Sequence, residues 1–200
     1  KDCYKEPIRD AVVKLIEVEC RMGKDIRKPV SHTFTDENGE FVRNPEEDIV
    51  KVAVVERHQG TGNVACGFLK GYGIKAGAVA LSIAHDSHNI IVVGVSDEEM
   101  EFAVNSLIAQ EGGMVLVKEG KVLESMPMPI AGLMSDQSGE WVDEKLTAIH
   151  AKAYEELGIA GDVEPVMTLC FMSLAVIPEI KLTDMGLFDV TTFSFIPVEV

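Results

Sequence analysis

Apolar and polar positions divide the chain into short segments with two different periods. From Ile49 to Val55 the run is β-branched and alternating, and it predicts a strand ending at Glu56-Arg57-His58. Val64 to Tyr72, punctuated by glycine, predicts a second strand, and Ala78 to Ala84 a third. Ile90 to Val95 predicts a fourth, almost continuously apolar, as expected of a strand buried on both faces. The period then changes. Ser96 stands three residues before Glu99, a capping box, and Asp97, Glu98 and Glu99 complement the N-terminal dipole of a helix. Met100, Ala103, Val104, Leu107 and Ile108 form one apolar stripe of that helix, and Gly112-Gly113 stops it. Met114 to Lys118 and Lys121 to Met126, joined across Glu119-Gly120, predict a β-hairpin. A second amphipathic helix from about Gly139 to Leu157 turns Val142, Leu146, Ile149, Ala153 and Leu157 inward, with Gly158 as its cap. Strand-like segments follow at Val166 to Ala175 and Phe193 to Val198.

Ahead of these elements the pattern is weaker. Between Asp10 and Arg21 the apolar positions fit a helix or an alternating strand equally. Asp36-Glu37-Asn38-Gly39 and Arg43-Asn44-Pro45 are turn chemistry, which places a boundary near Glu47. Residues 1–46 are therefore read as an N-terminal segment or linker and 47–200 as one domain. Hairpins and helices interleave unevenly, so the expected class is α+β, a β-rich sheet with two amphipathic helices packed on it.

Composition narrows the function. With 200 residues, 46% of them hydrophobic, the chain suits one compact domain or two small ones sharing an interface. No apolar run approaches the ~18 residues of a membrane-spanning helix, and no signal peptide is visible. Lys and Arg number 18 against 33 Asp and Glu, a net charge of −15 that repels phosphate backbones and anionic lipid; nucleic acid and membranes are not expected partners. Cys3, Cys20, Cys66 and Cys170 are widely spaced with no CxxC pair, which predicts reduced thiols in a cytoplasmic protein. Because numbering begins at Lys1 rather than a methionine, the chain is expected to be a piece of something longer.

Two polar clusters stand out. Ala84-His85-Asp86-Ser87-His88-Asn89 packs two imidazoles, a carboxylate and an amide between two apolar strands. Such groups ligate divalent metals or act as general acids and bases. They also fit a polar turn whose members satisfy one another, since an unpaired buried polar group costs about 1–3 kcal/mol. Glu56-Arg57-His58-Gln59-Gly60-Thr61-Gly62-Asn63 follows a strand, and its glycines allow a close approach to a ligand. Arg57 and His58 suit an anionic or heteroaromatic ligand, or equally a solvated hairpin. A third stretch, Met126 to Asp136, alternates Pro and Met and either lines a pocket for a flat ligand or packs over a core edge. His32 and His150 are read as incidental. There is no GxSxG elbow, no GxxxxGK[ST] phosphate loop, no deaminase-type P-C-x-x-C and no H-x-H pair, since His85 and His88 are three apart.

Taken in order, Glu56 to Asn63, Ala84 to Ile90, Pro127 to Asp136 and Val176 to Asp184 resemble the C-terminal region of microbial adenine deaminases, from about Ile49 onward. The resemblance implies hydrolysis of adenine to hypoxanthine and ammonia. It implies an amidohydrolase barrel whose divalent metal, manganese or iron, activates a hydroxide. That barrel and its main metal ligands lie outside this chain, so no catalytic residue carries over and the chain alone is expected to be inactive. Arg57, His58, Asn89, Ser135 and Asp136, with Met134, match family motifs as residues that contact or support the substrate. His85, Asp86 and His88 match as ligands of an additional metal ion. The partners implied are adenine or a related purine, the barrel, and further copies in a homo-oligomer. Two other readings stay open: a stand-alone relative that binds a purine or metal without deaminating it, and a structural or oligomerisation module.

Overall fold

The computed structural model describes residues 12–17, 29–31, 43 and 45–198. In chain order the elements are β1 (Val12–Glu17), β2 (Pro29–Ser31), β3 (Ile49–Val55), β4 (Val64–Lys70), β5 (Ala78–Leu81), β6 (Ile90–Gly94), α1 (Asp97–Ala109), β7 (Gly113–Lys118), β8 (Lys121–Pro127), α2 (Gly139–Glu155), α3 (Pro165–Phe171), β9 (Ile180–Thr183), β10 (Gly186–Asp189) and β11 (Ser194–Ile196). The class is α+β, as the sequence predicts.

Eight strands form one sheet in the order β2-β1-β4-β3-β6-β5-β7-β8. Its pairings are antiparallel except β1 beside β4, so the ambiguous segment near residue 12 is a strand. Side chains of successive strand residues point to opposite faces, and here both faces are covered. Val50, Val52, Val54, Val79, Leu81, Ile91, Val93, Met114 and Leu116 belong to a large core shared with α2, α3, β9 and β10. Ala53, Ala78, Ala80, Ile90, Val92, Val115 and Val117 face the other way and pack on Met100, Ala103 and Leu107 of α1. Small residues on the α1 side let the helix sit close: a Cβ at Gly94 would lie 2.6 Å from Met100 Cγ. β9, β10 and β11 form a separate antiparallel sheet whose Leu182 and Leu187 meet the main sheet at Gly67.

The helix signals of α1 are only partly used. Ser96 Oγ accepts the Glu99 N–H at 3.3 Å, but the Glu99 carboxylate turns away to the Gly120 N–H at 3.4 Å, so the capping box is half formed. Ile108, predicted on the buried stripe, is 57% exposed because the stripe narrows to Met100, Ala103 and Leu107. Glu119 and Gly120, at φ 53° and 66°, close the β7–β8 hairpin in the left-handed region that matches strand twist.

Val166 to Ala175 is not the predicted strand: its first part belongs to α3, which ends at Phe171, and the rest is turn. Its apolar run has no resolvable period, and the decisive signals are Pro165 in the first turn and the Glu164 carboxylate capping the Met167 N–H. Val166, Leu169 and Cys170 then fall on one buried face. Nor are the thiols all reduced: Cys66 is disulfide-bonded, and Cys170 is free. Cys3, Cys20, His32 and the turn at Asp36 to Gly39 also lie outside the described residues. No helix among the described residues is long and apolar enough to cross a membrane.

Register decides where the loops gather. Val55 lies opposite Val64 and Ile90, Leu81 opposite Met114, and Gly113 opposite Pro127. The β3–β4 loop, the β5–β6 loop and the exit from β8 therefore emerge at one end of the sheet, although Arg57 of the first and Ala131 of the last are 74 residues apart in sequence.

Candidate functional site

Residues from all three loops meet at that end. The β3–β4 loop is organised by Glu56. Its carboxylate accepts the N–H groups of His58, Gln59 and Thr61 and the Thr61 hydroxyl, at 2.5, 2.7, 3.0 and 3.0 Å. Those bonds, Thr61 and Gln59 first, hold its pKa at about 2, so the loop is fixed by an anion at any physiological pH.

Arg57 reaches across the end of the sheet. Its Nε donates to the His88 carbonyl at 2.5 Å and its Nη2 to the Ala131 carbonyl at 2.8 Å. Its backbone N–H donates to Asn89 Oδ1 at 3.3 Å. Gly132 is required here: at φ +73°, a Cβ would stand 2.9 Å from Arg57 Nη1. Ser82 Oγ secures the same loop, donating to the Gly132 carbonyl at 2.5 Å while accepting the Gly113 N–H at 2.7 Å. His58 Nε2 lies 2.7 Å from the Ser87 carbonyl, a contact that requires the proton on Nε2. Asn89 is buried and donates from Nδ2 to Asp184 Oδ1 at 3.1 Å, which joins the β9–β10 turn to the cluster.

Arg57, His58 and Asn89 thus spend their polar groups tying loops together, and what they hold up is a pair of imidazoles. The His85 N–H donates to the Cys170 carbonyl at 3.0 Å, and its ring centroid lies 5.3 Å from that of Phe171, so the end of α3 positions it. His88 sits at φ 54°, its N–H bonded to the Ala84 carbonyl at 2.6 Å. The His85 and His88 rings meet edge to face at 5.8 Å. His88 Nδ1 is buried with no hydrogen-bond partner. Burial, then the nearby His85 and Arg57, pushes the His88 pKa below its ordinary 6.5, so the ring is neutral at pH 7 and keeps an acceptor nitrogen. Asp86 projects outward, its Oδ1 4.0 Å from His85 Nδ1.

Among the described residues no three His, Cys, Asp or Glu side chains converge on a common point as metal ligands would. His85, Asp86 and His88 therefore do not by themselves assemble a metal centre. Ser135 and Asp136 lie outside the cluster. Ser135 Oγ accepts the Gln137 N–H at 3.1 Å and Asp136 Oδ1 the Gln137 amide at 2.9 Å, both local contacts ahead of α2. The same loop instead contributes the Ala131 carbonyl and Gly132. Those two, Glu56, Asp184 and Phe171 help build the cluster, and the sequence reading does not single them out. The signal for Glu56 is local, a carboxylate followed by two glycines and a threonine. His150 is not incidental: its Nδ1 faces the Leu146 carbonyl at 2.7 Å and its Nε2 the Glu164 carboxylate, so it locks α2 to the cap of α3.

Comparison with known proteins places this arrangement. The sequence model of the adenine deaminase C-terminal domain matches residues 25–194, beginning ahead of Ile49. The adenine deaminase 2 of Desulfotalea psychrophila is 72% identical over 162 residues, which are 81% of this chain and 28% of that protein. The adenine deaminase of Ligilactobacillus salivarius is 52% identical over 82% of this chain and 28% of its own length. That of Halalkalibacterium halodurans is 46% identical over 92% of this chain and 31% of its own length. The chain thus spans less than a third of the curated relatives it matches. It belongs to the adenine deaminase C-terminal domain family.

Proposed function

We propose that this chain is the C-terminal part of an adenine deaminase and that its loop end closes over the purine, completing a pocket built mainly by a catalytic barrel outside residues 1–200. The observation that carries this reading is the division of labour at the loop end. Arg57, His58 and Asn89 tie the loops together, whereas the exposed Asp86 carboxylate and the partly exposed His85 ring beside it take no part in those ties. A purine edge alternates ring-nitrogen acceptors with N–H donors. A neutral imidazole offers one donor and one acceptor, which matches that alternation without adding charge.

In this role the imidazoles of His85 and His88 orient the ring, while the exposed Asp86 accepts a hydrogen bond from the exocyclic amine. Phe171 fixes the His85 plane, and the Arg57 and Asn89 bonds fix the loop that carries both rings. A divalent manganese or iron would activate the attacking water and would be held by ligands of the barrel, because the side chains described here do not form such a site.

The test is steady-state ammonia release from adenine by the intact enzyme carrying His88→Ala or His85→Ala. General acid–base or orienting contacts of this kind contribute about 10²–10⁴-fold. Losses of kcat/KM of that order, with the melting temperature within about 3 °C of wild type, are expected. Wild-type turnover in both variants would reduce the pair to architecture.

A further inference from the structure

We propose that the apolar rim around the His85–His88 platform, formed by Ile130, Met134, Met167 and Met185, is the surface on which the remainder of the deaminase polypeptide seats. This rests on the reading that the loop end faces a pocket built outside this chain. Exposed apolar side chains scattered singly need no explanation, but each of these four adjoins a residue of one cluster, in sequence or by one helical turn. They are 45%, 59%, 44% and 69% exposed, and they come from three separate segments.

Each stands beside a residue that builds the platform. Ile130 and Met134 are bridged to one another across the turn whose Ala131 carbonyl binds Arg57. Met185 directly follows Asp184, the partner of Asn89. Met167 lies one helical turn before Phe171, on the same side of α3 as the ring that packs against His85. A body that delivers a purine to His85 and His88 must approach these loops, and on doing so it covers all four.

The occupant follows from length. A chain that makes up 28% of its relative leaves most of that polypeptide to be accommodated, and the pocket face is where the two must meet. Three of the four side chains are methionine, whose unbranched, polarisable thioether adapts to an irregular partner surface.

Peroxide footprinting of the intact enzyme, read by peptide mass spectrometry at nanomolar and at micromolar protein, tests this. Met134, Met167 and Met185 are expected to oxidise at least about tenfold more slowly than in the same enzyme unfolded in urea, equally at both concentrations. Oxidation at the unfolded rate overturns the proposal. Protection seen only at micromolar protein assigns the rim to a second copy and overturns it as well. Ammonia release from adenine is read on the same samples. Protected methionines without turnover remove the deaminase reading and leave the docking surface standing; turnover with unprotected methionines does the reverse.

Discussion

Arg57→Ala should cost this domain about 2–4 kcal/mol. The side chain makes two charge-assisted hydrogen bonds, to the His88 carbonyl at 2.5 Å and to the Ala131 carbonyl at 2.8 Å. The first is partly buried and contributes roughly 1.5–3 kcal/mol, the range for bonds to charged groups; the second is exposed and contributes about 0.5–1 kcal/mol. Truncation leaves the His88 carbonyl without that donor and removes one of the ties between these loops, leaving the Ser82–Gly132 and His58–Ser87 bonds. Arg57→Lys does not restore the tie, because one ammonium on a single stem cannot reproduce a fork that spans two carbonyls. Gly132 sharpens the argument. Gly132→Ala places a Cβ 2.9 Å from Nη1 and forces alanine to φ +73°. In the Arg57→Ala background the collision disappears and only the backbone strain remains, about 1–2 kcal/mol. The double variant should therefore be less destabilised than the sum of the singles, by about 1 kcal/mol. Urea denaturation of the four proteins, followed by fluorescence of Trp141, measures the cycle. An Arg57→Ala loss below about 0.5 kcal/mol would refute the reasoning, as would strict additivity with Gly132→Ala.

Two further predictions concern titration and thiol reactivity. Burial raises the Glu124 pKa, but bonds from Lys145 at 2.7 Å and Lys152 at 2.9 Å, with the Ser125 N–H, outweigh it and bring the carboxylate to about 2. A depressed pKa stabilises the fold above the ordinary value of 4.5 and loses that contribution as pH falls from there toward 2. The urea midpoint of the wild type should fall across that window more steeply than that of Glu124→Gln, and parallel curves would contradict the tie between β8 and α2. Burial, with Glu164 adding to it, pushes the Cys170 thiol up to about 12. Iodoacetamide at pH 8 should leave Cys170 unmodified in the native chain over the time that labels it fully in urea, and rapid native labelling would place it nearer solvent.

The central sheet was legible because period-two, β-branched runs leave few alternatives, and α1 because Ser96 and the acidic first turn mark its start. α3 was not, because an unbroken apolar run carries no period and only Glu164-Pro165 distinguishes it from a strand. The loop end was legible where composition was improbable: two histidines, an aspartate and an asparagine between apolar strands. What those residues do was not. The partners of Arg57 and Asn89 are Ala131 and Asp184, 74 and 95 residues away, and only strand register brings them together. Ser135 and Asp136 were natural choices as the polar residues of their motif, yet the part of that loop that meets Arg57 is a backbone carbonyl and a glycine, which carry no polar side chain to notice.

Photolabelling of the intact enzyme with 2-azidoadenine, followed by peptide mapping, tests most directly whether this domain faces the purine. The account predicts label on the peptide spanning Ala84 to Asn89, reduced by excess adenine and lost in the His88→Ala variant. Adenine-protected label confined to peptides outside residues 1–200 would contradict it.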